Sequence, residues 1–307
     1  CKERRVSSSN GADKAALEKS FSVAPPVDVA VAEELLREAK RIMDQLGVVF
    51  FLRQGTCLGA IRDKSIIPWD DDLDIGSILG LHGVTEKTID TVAAAFRDNG
   101  YFANIDCNNH YICVSMIKFS TRLDWVCYRI VNDSTFHYPG VRIPAKLFAN
   151  LKEIDFINAK FLVPNPPEEY LRFKYGAQWM TPKKLGFEKD ILEMISDAPL
   201  PGSGGILRRF LGKLISSWRA GKLRILDREG NPVYGAEVRI VGVGRFKTNK
   251  LGYTKTHLPG DDWYALVITH TNREEVLYQE KMSPGQTYIY RPNSFTVSGR
   301  LCVLSTV

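Results

Sequence analysis

Apolar positions along the chain fall into two textures. From Val27 to Gly47, residues Val31, Leu35, Leu36, Ala39, Ile42, Met43 and Leu46 recur at the spacing of one helix face, and Gly47 supplies a stop. "VVFFL" (Val48–Leu52) is a continuous apolar run that predicts a buried strand, and "GTCLGAI" after it a turn entering a short helix. "LDIGSIL" (Leu73–Leu79) predicts a second strand, and Glu86–Asn99 a helix closed by Gly100. "YICVSMIKF" (Tyr111–Phe119) and "LDWVCYRIV" (Leu123–Val131) predict a hairpin turning through Ser-Thr-Arg. Helices mixed with strands over residues 27–190 predict an α/β or α+β domain.

Beyond "PLPGSGG" (Pro199–Gly205) the texture changes. Ile206–Ala220 predicts a short amphipathic helix, and from Lys222 onward short strands alternate with Gly-, Asn- and Pro-bearing turns. That pattern predicts an all-β sandwich of about seven strands. Residues 1–26 are polar and end in Pro25-Pro26, as a tail or linker does. The expected organisation is therefore a tail over 1–26, a mixed domain over 27–198, a linker with a short helix over 199–221, and the sandwich over 222–307. No solenoid period runs through either part.

Composition narrows the partners. The 307 residues are 44% hydrophobic and 25% charged, as in a globular protein, and carry a net charge of +6. That charge favours anionic ligands such as nucleotides. No concentrated basic stripe is present, so nucleic acid is not an expected partner. No run reaches the roughly 18 apolar residues that a spanning helix needs, and no signal segment appears. Cys1, Cys57, Cys107, Cys113, Cys127 and Cys302 are scattered without a CxxC pair, which predicts thiols in a reducing compartment, hence the cytoplasm. The chain starts at Cys1 rather than Met, as a processed product or a piece of a larger protein does.

One stretch carries chemistry, "GTCLGAIRDKSIIPWDDDLDIG" from Gly55 to Gly76. Strand residues two apart share a face at about 6.6 Å spacing, so Asp70, Asp72 and Asp74 are expected to converge while Asp71 points away. Converging carboxylates repel and raise one another's pKa unless a divalent cation lies between them. Mg²⁺ or Mn²⁺ suits such oxygen ligands together with substrate phosphates. Asp124, at the start of "LDWVCYRIV", is the expected third ligand, with capping a turn or pairing with the neighbouring Arg122 as its alternative roles. Gly55 lets backbone approach a phosphate, Thr56 offers a hydroxyl, and Arg62 and Lys118 are the candidate phosphate cations. An Asp run alone is most often solvated surface, and the spacing of an EF-hand loop is missing.

The same residues resemble a known signature. "LGVVFFLRQGTCLGAIRDKSIIPWDDDLDIG" is similar to the LicD/fukutin family of phosphotransferases, which pairs Gly-Thr-x-Leu-Gly-Ala-x-Arg with Ile-Pro-Trp-Asp-Asp-Asp-x-Asp-Ile. "VPNPPEEYLRFKYGAQWMTP" (Val163–Pro182) resembles that family's Tyr-Leu…Tyr-Gly…Trp…Pro segment. The resemblance spans roughly residues 30–185 and implies an α+β nucleotidyltransferase-like catalytic domain with a mixed sheet. It implies transfer of a phospho-alcohol, such as phosphocholine or a polyol phosphate, from a CDP-linked donor to a hydroxyl of a glycan or glycolipid, with release of CMP. Residue by residue, Asp72 and Asp74 match the family's metal-binding Asp-x-Asp, with Asp70 beside them, and Gly55, Thr56 and Arg62 match its donor-binding segment. The mechanism expected here adds Asp124 as a third ligand of Mg²⁺ or Mn²⁺ and Asp124 or Asp70 as the base, while Tyr170, Leu171, Tyr175 and Gly176, which match the second segment, are expected to pack a helix on the sheet and end it. The chain departs from the signature at Asp63, at Ser65, and in reading Leu-Asp-Trp-Val where Ile-Asp-Ile-Phe-Pro is usual.

"ILDREGNPVYGAEVRIVG" with "TNKLGYTKTHLPGDDWYALVI" resembles carboxypeptidase-regulatory-like, transthyretin-type sandwiches. Such modules imply positioning, glycan contact or oligomerisation. An animal origin would place the chain in the secretory-pathway lumen. Two rival functions share these residues. A nucleotidyltransferase would release pyrophosphate, and a non-catalytic glycan-binding scaffold would be expected to have a broken acidic cluster, which is intact here.

Overall fold

A computed structural model describes residues 11–198, 200–201, 220–270, 273–292 and 303–306. The chain divides into two compact units, 1–137 with 142–182, and 138–141 with 183–307. Apart from Ala220, the helix expected over Ile206–Ala220 lies outside the described residues, as do Cys1 and Cys302.

In the first unit, residues 11–23 depart from the expected tail. They form helix α1 (Gly11–Val23), which buries Leu17 and packs on the central sheet. Helix α2 (Val29–Gln45) begins at Asp28, whose carboxylate accepts from the amides of Ala30 and Val31 at 3.0 and 3.2 Å. Its predicted stripe, Leu35, Leu36, Ala39, Ile42 and Met43, is buried. The apolar run after it yields only a two-residue strand, β1 (Phe51–Leu52), because the chain turns at once into helix α3 (Gln54–Leu58) and a wider helical turn over Gly59–Asp63. Gly59 permits that turn, since a Cβ there would stand 2.4 Å from the Ser65 carbonyl.

Strand β2 (Asp72–Ile78), helix α4 (Glu86–Asp98) and strands β3 (Phe102–Cys107), β4 (Tyr111–Lys118) and β5 (Thr121–Tyr128) complete the sheet, in the order β1-β2-β5-β4-β3. Strands β2 and β5 run parallel and the other neighbours antiparallel, so the sheet is mixed. The expected hairpin is β4–β5, and its tight turn puts Phe119 and Ser120 at φ of 50° and 61°. Two small two-stranded sheets follow, β6 (Ser134–His137) with β7 (Val141–Pro144), and β8 (Lys152–Phe156) with β9 (Ala159–Val163). Helix α5 (Pro167–Tyr175) ends at Gly176, φ 82°.

Among the described residues, the second unit holds helix α6 (Phe187–Met194) and eight strands: β10 (Gly221–Ile225), β11 (Glu237–Ile240), β12 (Gly244–Lys247), β13 (Tyr253–Thr256), β14 (Asp262–His270), β15 (Arg273–Met282), β16 (Thr287–Tyr290) and β17 (Ser305–Thr306). They form two four-stranded sheets, β13-β10-β16-β17 and β12-β11-β14-β15. Leu223, Ile225, Tyr288 and Tyr290 of the first share one buried cluster with Val238, Ile240, Leu266 and Ile268 of the second.

Cysteines depart from the all-thiol expectation. Cys57, Cys113 and Cys127 are free, whereas Cys107 is disulfide-bonded. No helix among the described residues is long and apolar enough to cross a membrane.

Candidate metal and donor site

The sheet sorts the candidates by face. Residues opposite one another in adjacent strands point the same way. Asp72 lies opposite Arg122 and Asp74 opposite Asp124 on the β2–β5 ladder, and Ser115 lies opposite Asp124 on β4. Asp72, Asp74, Arg122 and Asp124 therefore share one face, over which α1 packs. Lys118 has the other parity. Its ammonium is held by Glu38 of α2 at 2.8 and 3.0 Å and by the Asn99 carbonyl at 2.9 Å, on the far side of the sheet. The expected role of Lys118 as a phosphate cation is thus corrected to one of tying α2 to the sheet.

Strand parity does not govern the start of the acidic run, because β2 begins only at Asp72. Asp70 and Asp71 sit in the turn before it, and Asp71 is turned inward rather than away. Asp70, Asp71 and Asp72 each bring an oxygen within 4.8 Å of the others. Arg122 gathers this group. Its Nη2 pairs with Asp72 and, at 3.0 Å, with Asp71, and its Nε lies 3.4 Å from Asp124. The Phe21 ring of α1 covers the guanidinium at 4.4 Å. Asp124 thus pairs with Arg122, one of the alternatives expected of it, and keeps a buried Oδ1 without a hydrogen-bond partner.

Asp74 has its own cation. Arg53, 4% exposed, pairs with it at 2.5 Å, donates to Tyr128 Oη at 3.0 Å and to the Ile75 carbonyl at 3.2 Å. The Asp74 amide donates to Thr56 Oγ1 at 2.7 Å, so Thr56 positions the strand that carries the carboxylate. Gly55 admits a carboxylate, since an added Cβ would stand 1.9 Å from Asp70 Oδ2. Arg62, expected to clamp phosphate, is engaged by both oxygens of Asp63 at 2.7 Å. That neighbour is one of the positions at which the sequence departs from the family signature.

Further along the same face, at Tyr128 of β5, lies a polar layer that the sequence did not announce. His137 stacks on Tyr128 at 3.8 Å, and Tyr170 of α5 accepts from the Gln54 amide at 2.9 Å, tethering α3. Lys174, 1% exposed, is pushed down to about 7 by burial and then by the Arg53 charge. Tyr170 and Leu171 are fully buried, which agrees with the packing role expected of that segment.

Electrostatically, the face is short of positive charge. Burial raises Asp74 well above the usual carboxylate range. Arg53 opposes the rise, and Asp72, Asp70 and Asp124 add to it. Asp124 is raised by burial too, against the pull of Arg122. Two guanidinium groups thus face five carboxylates. The free Asp124 Oδ1 and the convergent oxygens are hard ligands, which is the donor set that Mg²⁺ or Mn²⁺ takes.

Residues 47–166 match the LicD/FKTN/FKRP nucleotidyltransferase domain. The chain is 28% identical over 167 residues to human "Ribitol-5-phosphate transferase FKTN", covering 50% of this chain and 34% of that protein. It is 26% identical over 165 residues to mouse "Ribitol 5-phosphate transferase FKRP", covering 50% and 32%. An uncharacterized protein of Rickettsia typhi is 40% identical over 149 residues, covering 46% and 44%. The chain spans about a third of the length of the transferases it matches.

Proposed function

We propose that the first unit is a phosphotransferase of nucleotidyltransferase-like fold that moves a phospho-alcohol, of the ribitol phosphate class, from a CDP-linked donor to a glycan hydroxyl and releases CMP. The match over residues 47–166 and the names of the relatives support the transferase class. The observation that carries the site is the shared face of Asp72, Asp74 and Asp124 with an unpartnered Asp124 oxygen. Asp72, Asp74 and Asp124 would hold the divalent cation, with Asp70 and Asp71 beside them; once bound, it supplies charge stabilisation on the phosphate leaving with CMP.

The chain's own residues do the remaining work. Thr56, Arg53 and Tyr128 fix Asp74 in place. Arg122 holds Asp71, Asp72 and Asp124 together so that their repulsion does not open the cluster. A carboxylate raised by burial suits proton acceptance from the acceptor hydroxyl, and Asp124 fills that role unless it is fully engaged with the cation, in which case Asp70 does. The second unit is proposed as a transthyretin-type module that positions the glycan or joins two copies. The disulfide at Cys107 supports an oxidising compartment such as the secretory lumen.

The test is product identity. Incubation with CDP-ribitol, Mn²⁺ and a glycan acceptor should release CMP and add one phospho-pentitol mass to the acceptor. Pyrophosphate released from CTP, with no CMP from CDP-ribitol, would replace this proposal with the nucleotidyltransferase reading.

A further inference from the structure

Both cations assigned to phosphate from the sequence are occupied elsewhere, Arg62 by Asp63 and Lys118 by Glu38. A CDP-linked donor needs at least one fixed cation besides a metal, because a pyrophosphate would otherwise approach a face rich in carboxylates. Arg122 stands where that cation is needed. Its Nη2 pairs with Asp71 and Asp72, its Nε lies 3.4 Å from Asp124, and its Cζ lies 4.4 Å from the centre of the Phe21 ring. Those contacts fix the orientation of the remaining nitrogen. Nη1 is buried and has no hydrogen-bond partner; Nε, likewise without a hydrogen bond, has the Asp124 carboxylate at 3.4 Å, whereas no carboxylate is paired with Nη1 among the described residues. An orphaned charged donor is costly, and native proteins keep such groups where a ligand completes them. On the same face, Asp124 Oδ1 is the matching orphaned acceptor.

We propose that Arg122 is the donor-binding residue of the site, its free Nη1 donating to a phosphate oxygen of the CDP-linked donor while its other nitrogens hold the metal-ligating carboxylates. This inference rests on the phosphotransferase reading and adds a residue to it. One guanidinium would then set the spacing between the phosphate and the cation, which neither a surface lysine nor the Asp63-paired Arg62 does. Lysine at 122 keeps the charge but loses the fork, so it is the informative variant.

The experiment is calorimetry on the full chain with three probes: Mn²⁺ alone, then CDP and cytidine at saturating Mn²⁺. Arg122→Lys and Arg122→Gln are compared with the native chain, with thermal unfolding of each recorded. The expected result, read at Mn²⁺ saturating for each variant, is a loss of at least tenfold in CDP affinity in both variants with cytidine affinity unchanged. CDP affinity within twofold of native, or CDP and cytidine falling together, would overturn the inference and leave the phosphotransferase reading standing. Failure of the native chain to bind CDP with Mn²⁺ would overturn that reading and this inference with it.

Discussion

Replacing Arg53 by Met tests whether the buried pair with Asp74 organises the site. The guanidinium is 4% exposed and makes three polar contacts, to Asp74 at 2.5 Å, Tyr128 Oη at 3.0 Å and the Ile75 carbonyl at 3.2 Å. Methionine fills similar volume but leaves Asp74 as a buried, unpaired carboxylate beside Asp70, Asp72 and Asp124. Breaking one half of a buried pair costs about 3–5 kcal/mol, which for a unit of this size lowers Tm by roughly 6–20 °C. The sign of the pH dependence follows from the direction of the shift. Asp74 is raised in the fold, so its contribution to stability is greatest below the unfolded carboxylate pKa of about 3.9 and is lost as pH rises through the folded value. Without Arg53 the folded value climbs further, so the gap between native and variant should widen from pH 5 to pH 8. Adding Asp74→Asn to Arg53→Met should recover most of the loss, giving a coupling energy of about 2 kcal/mol or more. Thermal and urea unfolding followed by circular dichroism at both pH values measures all three effects. A loss under about 1 kcal/mol, equal at pH 5 and 8 and additive with Asp74→Asn, would refute the reasoning.

Three further outcomes follow from single contacts. Glu280 is buried in the second unit, accepts from the amides of Val303 and Leu304, and is raised from 4.5 to about 7 by desolvation. Its stabilising protonated form is fully present below pH 4.5 and lost through pH 7, so that unit should weaken by about 3 kcal/mol between pH 4 and pH 8.5, with Glu280→Gln flattening the profile. In Gly55→Ala the new methyl must evict the Asp70 carboxylate; helix propensity worth about 1 kcal/mol offsets the strain, so Tm should hold while Mn²⁺ affinity falls severalfold, and native affinity would count against a role for Asp70. Lys118→Ala should leave CDP binding unchanged and reduce stability modestly, whereas a large loss of CDP affinity would restore Lys118 to the site.

Much of the first unit was legible in the sequence because its signals are local. The stripe of α2, the β2 and β5 runs and the β4–β5 turn each follow from period and turn chemistry within a dozen residues. The shared face of Asp72 and Asp74 was legible for the same reason, as parity is a local property once a strand is placed, and the β2–β5 register adds Asp124 to that face. Parity failed for Asp70 and Asp71 because the strand starts later than the acidic run. It also gave the means to exclude Lys118, which sits opposite Thr121 on the far face, but only once the β4–β5 register was known. Helix α1 was missed because its apolar residues are few; what holds it is tertiary, with Leu17 buried and Phe21 on Arg122. Arg53 carries no role in the sequence reading, and Arg122 only that of a partner for Asp124, because an arginine beside a strand is ordinarily a surface charge. Their burial is decided by carboxylates 21 residues away from Arg53 and 50 from Arg122. Arg53 directly after "VVFFL" was the one available signal, a charge where the apolar run predicts interior.

The most direct test of the central claim is calorimetric binding of CDP to the native chain and to Asp72→Ala, with and without Mn²⁺. A divalent site on the shared face of β2 and β5 predicts CDP binding that requires Mn²⁺ in the native chain and disappears in the variant. CDP binding that is indifferent to Mn²⁺ or survives Asp72→Ala, or no nucleotide binding under either condition, would contradict it.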